Sequence, residues 1–333
     1  MSQRRKVDKH TYIKTDLDIA LIVSIAGCYY FNSCFVAKIK NTLKLCRILS
    51  DFRTYGKPKD FDKENKKLNY FSVVYQIFGI MAMLAIIVTP LMDKGRCEKE
   101  NIRRNLDEVC GIMGAAWWPF DFGRFPYKQL YYAYQMYSVS LIYYATSTTS
   151  FTIVESTEHL ILRFKHVRLL FLEALQCENP THRKEFFNRT VRYHNEVMNM
   201  AIIYNNSFRV CVFMNLFFSA IVLGCLSYAV FENFSLGGLC LYILWATSVA
   251  IVCHSGQRLI NESTGIGETI YNAKWYNFEN NLQKELLMVM MRSEKPVYLE
   301  AGPFGNMTHG VLMTIQQTSY SYLSLLRGTS GRE

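Results

Sequence analysis

The chain has 333 residues, half of them hydrophobic, with 19% charged and a formal net charge of +10. The charged fraction lies below the roughly 25% of a soluble protein. Its charges are clumped around six long uncharged runs, a pattern that one soluble core does not produce. The basic excess falls between those runs, as expected of loops beside anionic lipid, and no basic-aromatic pattern points to a nucleic-acid surface.

Met1–Asp18 is polar and basic and lacks the small-residue cleavage site of a signal peptide. The first uncharged run, Ile19–Ala37, is long enough to span a bilayer. The most basic loop follows. Its first half, KIKNTLKLCRILSDF, sets Ile39, Leu43, Cys46 and Leu49 at helical spacing and reads as a cytoplasmic extension of the first span. The second span is Tyr70–Met92, with Pro90 near its end. A loop with the run WWPFDFGRFP leads to the third span, Gln129–Val154, which is rich in tyrosine. The stretch 155–206 alternates charge with apolar residues and reads as helical extensions of two spans, broken near Asn179–Pro180. The fourth and fifth spans, Val210–Phe231 and Leu236–Gln257, form a tight hairpin. A second helical-looking loop, Arg258–Glu300, precedes the last uncharged run, Ala301–Leu326, whose spanning part is taken as 305–326. The fold expected is therefore all-α: one polytopic membrane helical bundle over residues 1–333, with six spans visible.

Charge sets the orientation. The loops 38–69, 155–209 and 255–300 hold 23 of the 37 Lys and Arg residues, so they are expected to be cytoplasmic and the carboxyl terminus outside. Six spans then put the amino terminus outside as well, against its own basic residues. A missing upstream span would resolve the conflict. With this orientation the sequons at Asn188, Asn205, Asn261 and Asn306 face the wrong side for glycosylation. Asn233 faces outward but lies against the bilayer.

The last run contains no Asp, Glu, Lys or Arg but many hydroxyls and amides. On a helical wheel Thr314, Gln317, Ser321 and Ser324 fall within about 40° either side of Gly310. Val311, Leu312, Ile315, Leu323 and Leu326 take the far side. A polar stripe of this kind lines a water-filled path or packs on polar partners, and the stripe alone leaves both open.

Little in the chain is catalytic. Glu155 and His159 sit at metal-pair spacing, which on a helix is more often surface charge pairing. No phosphate-binding glycine loop or nucleophile elbow is present, no cofactor and no metal are implied, and the chain does not read as an enzyme. Of ten cysteines, Cys97 and Cys110 share one loop and would pair if that loop is extracellular.

Several stretches together resemble the insect odorant receptors. QQTSYSYLSLLR at the carboxyl end is similar to that family's closing signature. CHSGQRLINES with ETIYNAKWY, RSEKPVYLEAGPF, WWPFD and the first-loop segment KIKNTLKLCRILSDF resemble other parts of it in the right order. The resemblance implies a seven-span receptor of inverted topology whose first helix has no counterpart here. It implies an odorant-gated, non-selective cation channel in the plasma membrane, acting in olfactory signal transduction as a hetero-oligomer, taken as a tetramer, with a shared co-receptor. The last helix would line the pore through Thr314, Gln317, Ser321 and Ser324. A volatile ligand would meet an apolar and aromatic wall in the outer half of the bundle. Tyr134, Tyr137 and Ser138 are expected on one side, with Met83, Ile87, Tyr242 and Trp245 facing them. A tyrosine near the interface also serves as an anchor, so each of these keeps that second reading. The nearest rival family is the gustatory receptors, which close on a different signature. A G-protein-coupled receptor would need the opposite orientation.

Overall fold

A helix that crosses lipid must satisfy its own backbone and turn apolar side chains outward, and both features are present. The computed structural model describes residues 2–104, 109–113, 125–232 and 236–330. They form helices α1 (Ser2–Ala37), α2 (Ile39–Leu49), α3 (Phe61–Met92), α4 (Lys94–Arg104), α5 (Tyr127–Gln176), α6 (Pro180–Glu232), α7 (Leu236–Asn272), α8 (Asn280–Ser293) and α9 (His309–Ser330). Among the described residues β structure is limited to one isolated bridge, Glu300 to Asn306. The molecule is an all-α membrane bundle. On α3, Tyr70, Val73, Ile77, Met81, Leu84 and Val88 are all exposed. They recur at three- and four-residue steps, so one whole face of the helix is apolar and bare, as lipid requires.

Among the described residues, four helical stretches are long and apolar enough to cross a membrane by length and composition: Ala20–Ala37, Phe61–Arg103, Pro180–Phe231 and Leu236–Asn272. The remaining two predicted spans lie in α5 and α9, the helices loaded with Ser, Thr, Tyr and Gln. Their hydroxyls and amides lower the hydropathy and also do the joining. Thr146 and Thr149 of α5 hold Asn32 of α1. The Asn32 amide donates to Thr146 Oγ1 at 2.9 Å, and Thr149 Oγ1 donates back to Asn32 Oδ1 at 2.9 Å. Ser147 of the same helix accepts from Gln76 of α3 at 2.6 Å, and Tyr143 donates to Gln76 Oε1 at 3.3 Å. Buried amides without such partners would be costly at this depth.

Beyond the spans α5, α6 and α7 continue as one packed body with α8. Its interior holds Leu160, Phe164, Phe171, Phe187, Tyr193, Tyr204, Phe208, Leu259, Ile266 and Leu286. The break expected near Asn179–Pro180 is where α6 begins. Asn179 Oδ1 accepts from Thr181 N at 3.0 Å, and Pro180, whose missing N–H costs nothing there, takes the first helical position.

Two elements differ from the sequence reading. The first-loop segment is a separate helix, α2, because the chain turns at Lys38 before resuming helical geometry. The last helix starts at His309, after the expected 305. Gly302 and Gly305 both take positive φ, near 58° and 83°, in a reversing loop that places Met307 N on Leu299 O at 2.9 Å. That loop is tied down on both sides. Glu300 N donates to Asn205 Oδ1 at 3.0 Å, and Val297 N to Ser263 Oγ at 3.0 Å. The Asn205 sequon is thus occupied with an internal bond. The run Trp117–Asp121 and the sequon at Asn233 lie outside the described residues.

Candidate functional site

The polar stripe depends on which face of α9 the bundle takes. The helix lies against α6 and α7. It buries Ile315 and Ser319, and the Ser319 hydroxyl donates to its own Ile315 O at 3.0 Å. Those two positions sit roughly opposite Gly310 at 100° per residue. Thr314, Gln317, Ser321 and Ser324 are therefore on the far side, and all four are exposed in the single chain. Three of the hydroxyls donate inward: Thr314 to Gly310 O at 3.0 Å, Ser321 to Gln317 O at 2.9 Å and Ser324 to Tyr320 O at 3.0 Å. Each spends its one proton on the backbone and presents oxygen lone pairs outward. The Gln317 amide has no hydrogen-bond partner among the described residues. The outward surface of α9 is thus a column of oxygen acceptors interrupted by one amide, a surface that suits water and cations better than acyl chains.

The proposed ligand wall is only partly assembled. Met83 is buried, and Ile87 and Ser138 are half-buried. Ile87 O accepts from Tyr132 Oη at 2.5 Å, which locks the outer ends of α3 and α5 together. Tyr242 and Trp245 pack with Ala20, Val222, Cys225 and Leu226 of α1 and α6. Tyr134 and Tyr137 are exposed at 65% and 66% and stand apart from the others in the single chain.

The Asn32 and Gln76 networks were missed by sequence reading. An amide inside an uncharged run was the available signal. Also unread was Arg163, buried to 2%. Its guanidinium donates to Leu49 O and Asp51 O, each at 2.7 Å, and to Ile48 O at 3.4 Å and Tyr193 Oη at 3.3 Å. It stacks on the Phe52 ring at 4.4 Å. The residue thereby caps the carbonyl end of α2 and fixes the loop that leads to α3.

His166 and His194 are buried in the same region, and His159 is half-buried. Burial pushes His159 and His166 below their ordinary range, with Arg163 adding to the depression. His194, packed edge-on to Phe171, is pushed down to about 4 by burial and secondarily by Arg292. The unfolded chain takes these protons near pH 6.5 while the folded chain resists, so stability is full above that pH and falls on acidification toward 4. His194 accounts for up to about 3 kcal/mol of that loss. The melting temperature of the purified protein should therefore fall steeply between pH 7 and pH 4, and His194→Leu should flatten the slope. An unchanged slope would contradict the buried neutral imidazole.

A disulfide joins Cys97 to Cys110 in the segment between α3 and α5. Such a bond fits an oxidising compartment on the side opposite the basic loops.

This architecture has known counterparts. The family model described as 7tm Odorant receptor matches residues 3–320. Odorant receptor 67c of Drosophila melanogaster is 22% identical over a match that covers 93% of this chain and 80% of the relative. Odorant receptor 85b of the same species is 27% identical over 41% of this chain and 36% of the relative. The solved structure of the insect olfactory receptor OR5 from Machilis hrabei in complex with eugenol superposes with a TM-score of 0.77 at 12% identity. The match covers 92% of this chain and 80% of the receptor.

Proposed function

The chain belongs to the 7tm odorant receptor family, and from that premise we propose that it is the odorant-sensing subunit of a non-selective cation channel. It works with a co-receptor in one hetero-oligomer, most simply a tetramer, in the plasma membrane of olfactory cells. The observation that carries the reading is the placement of the α9 stripe. Thr314, Gln317, Ser321 and Ser324 point away from the face that α9 buries on α6 and α7. Around a shared axis those four positions would meet the same column from each neighbour and enclose a hydrated path.

The ligand is a small volatile molecule, mostly apolar with one polar group. Met83, Ile87, Ser138, Tyr242 and Trp245 form its proposed wall. Tyr134 and Tyr137 join it only if assembly or closure covers them. The structurally similar receptor solved in complex with eugenol supports a small-molecule ligand. Gating is a population shift: an odorant that fits the open bundle better than the closed one moves the equilibrium by its differential affinity. The basic loops and the disulfide segment on opposite sides support a cytoplasmic position for α2 and α8.

Co-expression with a co-receptor tests the proposal. Some members of a volatile panel should evoke cation currents that neither subunit shows alone. Surface-expressed, co-assembled protein that stays silent across a broad panel, or that signals only through a G protein, would overturn it.

A further inference from the structure

A cavity of about 460 Å³ opens between α3, α5 and α7, away from both the α9 stripe and the proposed odorant wall. All three helices change character at its level. Phe71, Val154, Ala250 and Ile251 line the part toward the membrane interior. Glu64, Lys67, Glu158 and Arg258 line the part beyond the span ends. The charges come as two pairs: Lys67 with Glu64 at 2.7 Å, and Arg258 with Glu158 at 2.6 Å. At the charged end lies His159, next to Glu158 and against the Phe61 ring, with its Nε2 buried and without a hydrogen-bond partner among the described residues. An orphaned ring nitrogen beside a roomy, mostly apolar cavity with a charged rim points to a missing partner.

We propose that this cavity holds one membrane phospholipid with a zwitterionic, amine-bearing head, its acyl chain lying along Phe71, Val154 and Ile251. The depth profile matches a lipid at the bilayer surface, apolar below and charged above. The rim selects the head group. With two acids and two bases it has no net charge, so an anionic head would gain Lys67 and Arg258 but meet Glu64 and Glu158. A zwitterion satisfies both: its phosphate reaches the bases and its ammonium donates to the carboxylates. A quaternary head has no N–H to donate, which favours a primary amine. His159 Nε2, at the charged end of the cavity, is placed to bond the head group. That the lipid comes from the cytoplasmic leaflet rests on the orientation proposed above. The site itself does not.

Full-length receptor is co-assembled with a co-receptor and reconstituted in phosphatidylcholine vesicles. Each preparation carries one diazirine-tailed probe: phosphatidylethanolamine, phosphatidylcholine or phosphatidylglycerol. After illumination, peptides containing Phe71, Val154 or Ile251 should be labelled several-fold more by the ethanolamine probe than by the other two. Ala250→Trp, which fills the chain channel, should abolish that labelling, while Leu84→Trp on the lipid-facing side of α3 should not. Should Ala250→Trp fail to fold, Glu64→Gln on the half-exposed rim carries the test, shifting preference toward the anionic probe. Equal labelling by all three probes, or labelling unchanged in both variants, overturns the proposal. So does displacement of the label by a channel-opening odorant, which would make the cavity a second odorant site. Labelling reads the cavity whichever leaflet it faces, so an error in orientation is detected separately by terminal tags.

Discussion

Arg163→Met is expected to remove assembled receptor from the cell surface. The side chain is among the largest fully buried ones in the molecule. It is held without a carboxylate within ion-pairing distance among the described residues, by carbonyls of α2 and its following loop and by Tyr193. Truncation strips Leu49 O, at a buried contact, and Asp51 O, at a part-buried one, of their donor. Each hydrogen bond to a charged group contributes about 1.5–3 kcal/mol, so losing two or more approaches the whole stability of a marginal bundle. Arg163→Lys should recover only part. An ammonium cannot reproduce a planar fork that serves two carbonyls at once and stacks on Phe52. The measurement is surface biotinylation together with the melting temperature of detergent-solubilised protein. Wild-type surface levels and melting in Arg163→Met would mean the α2 cap carries no structural weight.

Gln317→Lys should cut odorant-evoked cation current by an order of magnitude or more, with surface expression intact. Gln317→Glu should raise the permeability of divalent over monovalent cations. Both effects are electrostatic. A fixed charge about 8 Å from a permeating ion, at an effective dielectric constant near 20, changes its energy by about 2 kcal/mol. That is roughly a thirtyfold effect on occupancy, opposite in sign for the two substitutions. Both variants keep the buried face of α9, which runs through Ile315 and Ser319, so the fold is spared. Reversal potentials in mixed-ion solutions read the result. Unaltered selectivity in both variants would place Gln317 off the conduction path.

Much of the architecture could be read from the chain because membrane physics writes it plainly. Five of the six uncharged runs are helical throughout and the sixth is helical from His309 onward, and the exposed stripe on α3 follows from the same runs. The start of α6 was visible because asparagine before proline carries its own capping chemistry. The α9 stripe was visible because four polar residues recur at helical spacing in a segment that carries no charge. What stayed hidden was long-range. Nothing in the residues around Arg163 signals that its carbonyl partners lie more than a hundred positions earlier. The partners of Asn32 and Gln76 sit on a helix read only as tyrosine-rich. The separate helix α2 and the late start of α9 depend on single residues, Lys38 and the two left-handed glycines. Amphipathic periodicity carries no information about such turns.

The proposed seven-residue ligand wall is the part least legible in the sequence, because a tyrosine at a membrane interface and a tyrosine in a pocket look alike. Tyr134 and Tyr137 are exposed, whereas Tyr242 and Trp245 pack inward. The side of a helix is fixed by its neighbours, and single-chain periodicity does not name them.

The most direct examination of the channel reading is substituted-cysteine accessibility along α9. Cysteines are placed singly at 314, 317, 321 and 324, and at 315 and 319 for contrast, and a charged, membrane-impermeant thiol reagent is applied during odorant-evoked current. Rapid, irreversible block is expected at the four stripe positions, faster in the open state, with no effect at 315 or 319 or in the parent chain. Current untouched at all four stripe positions in surface-expressed, odorant-responsive channels would show that this edge of the helix never meets the water through which ions flow.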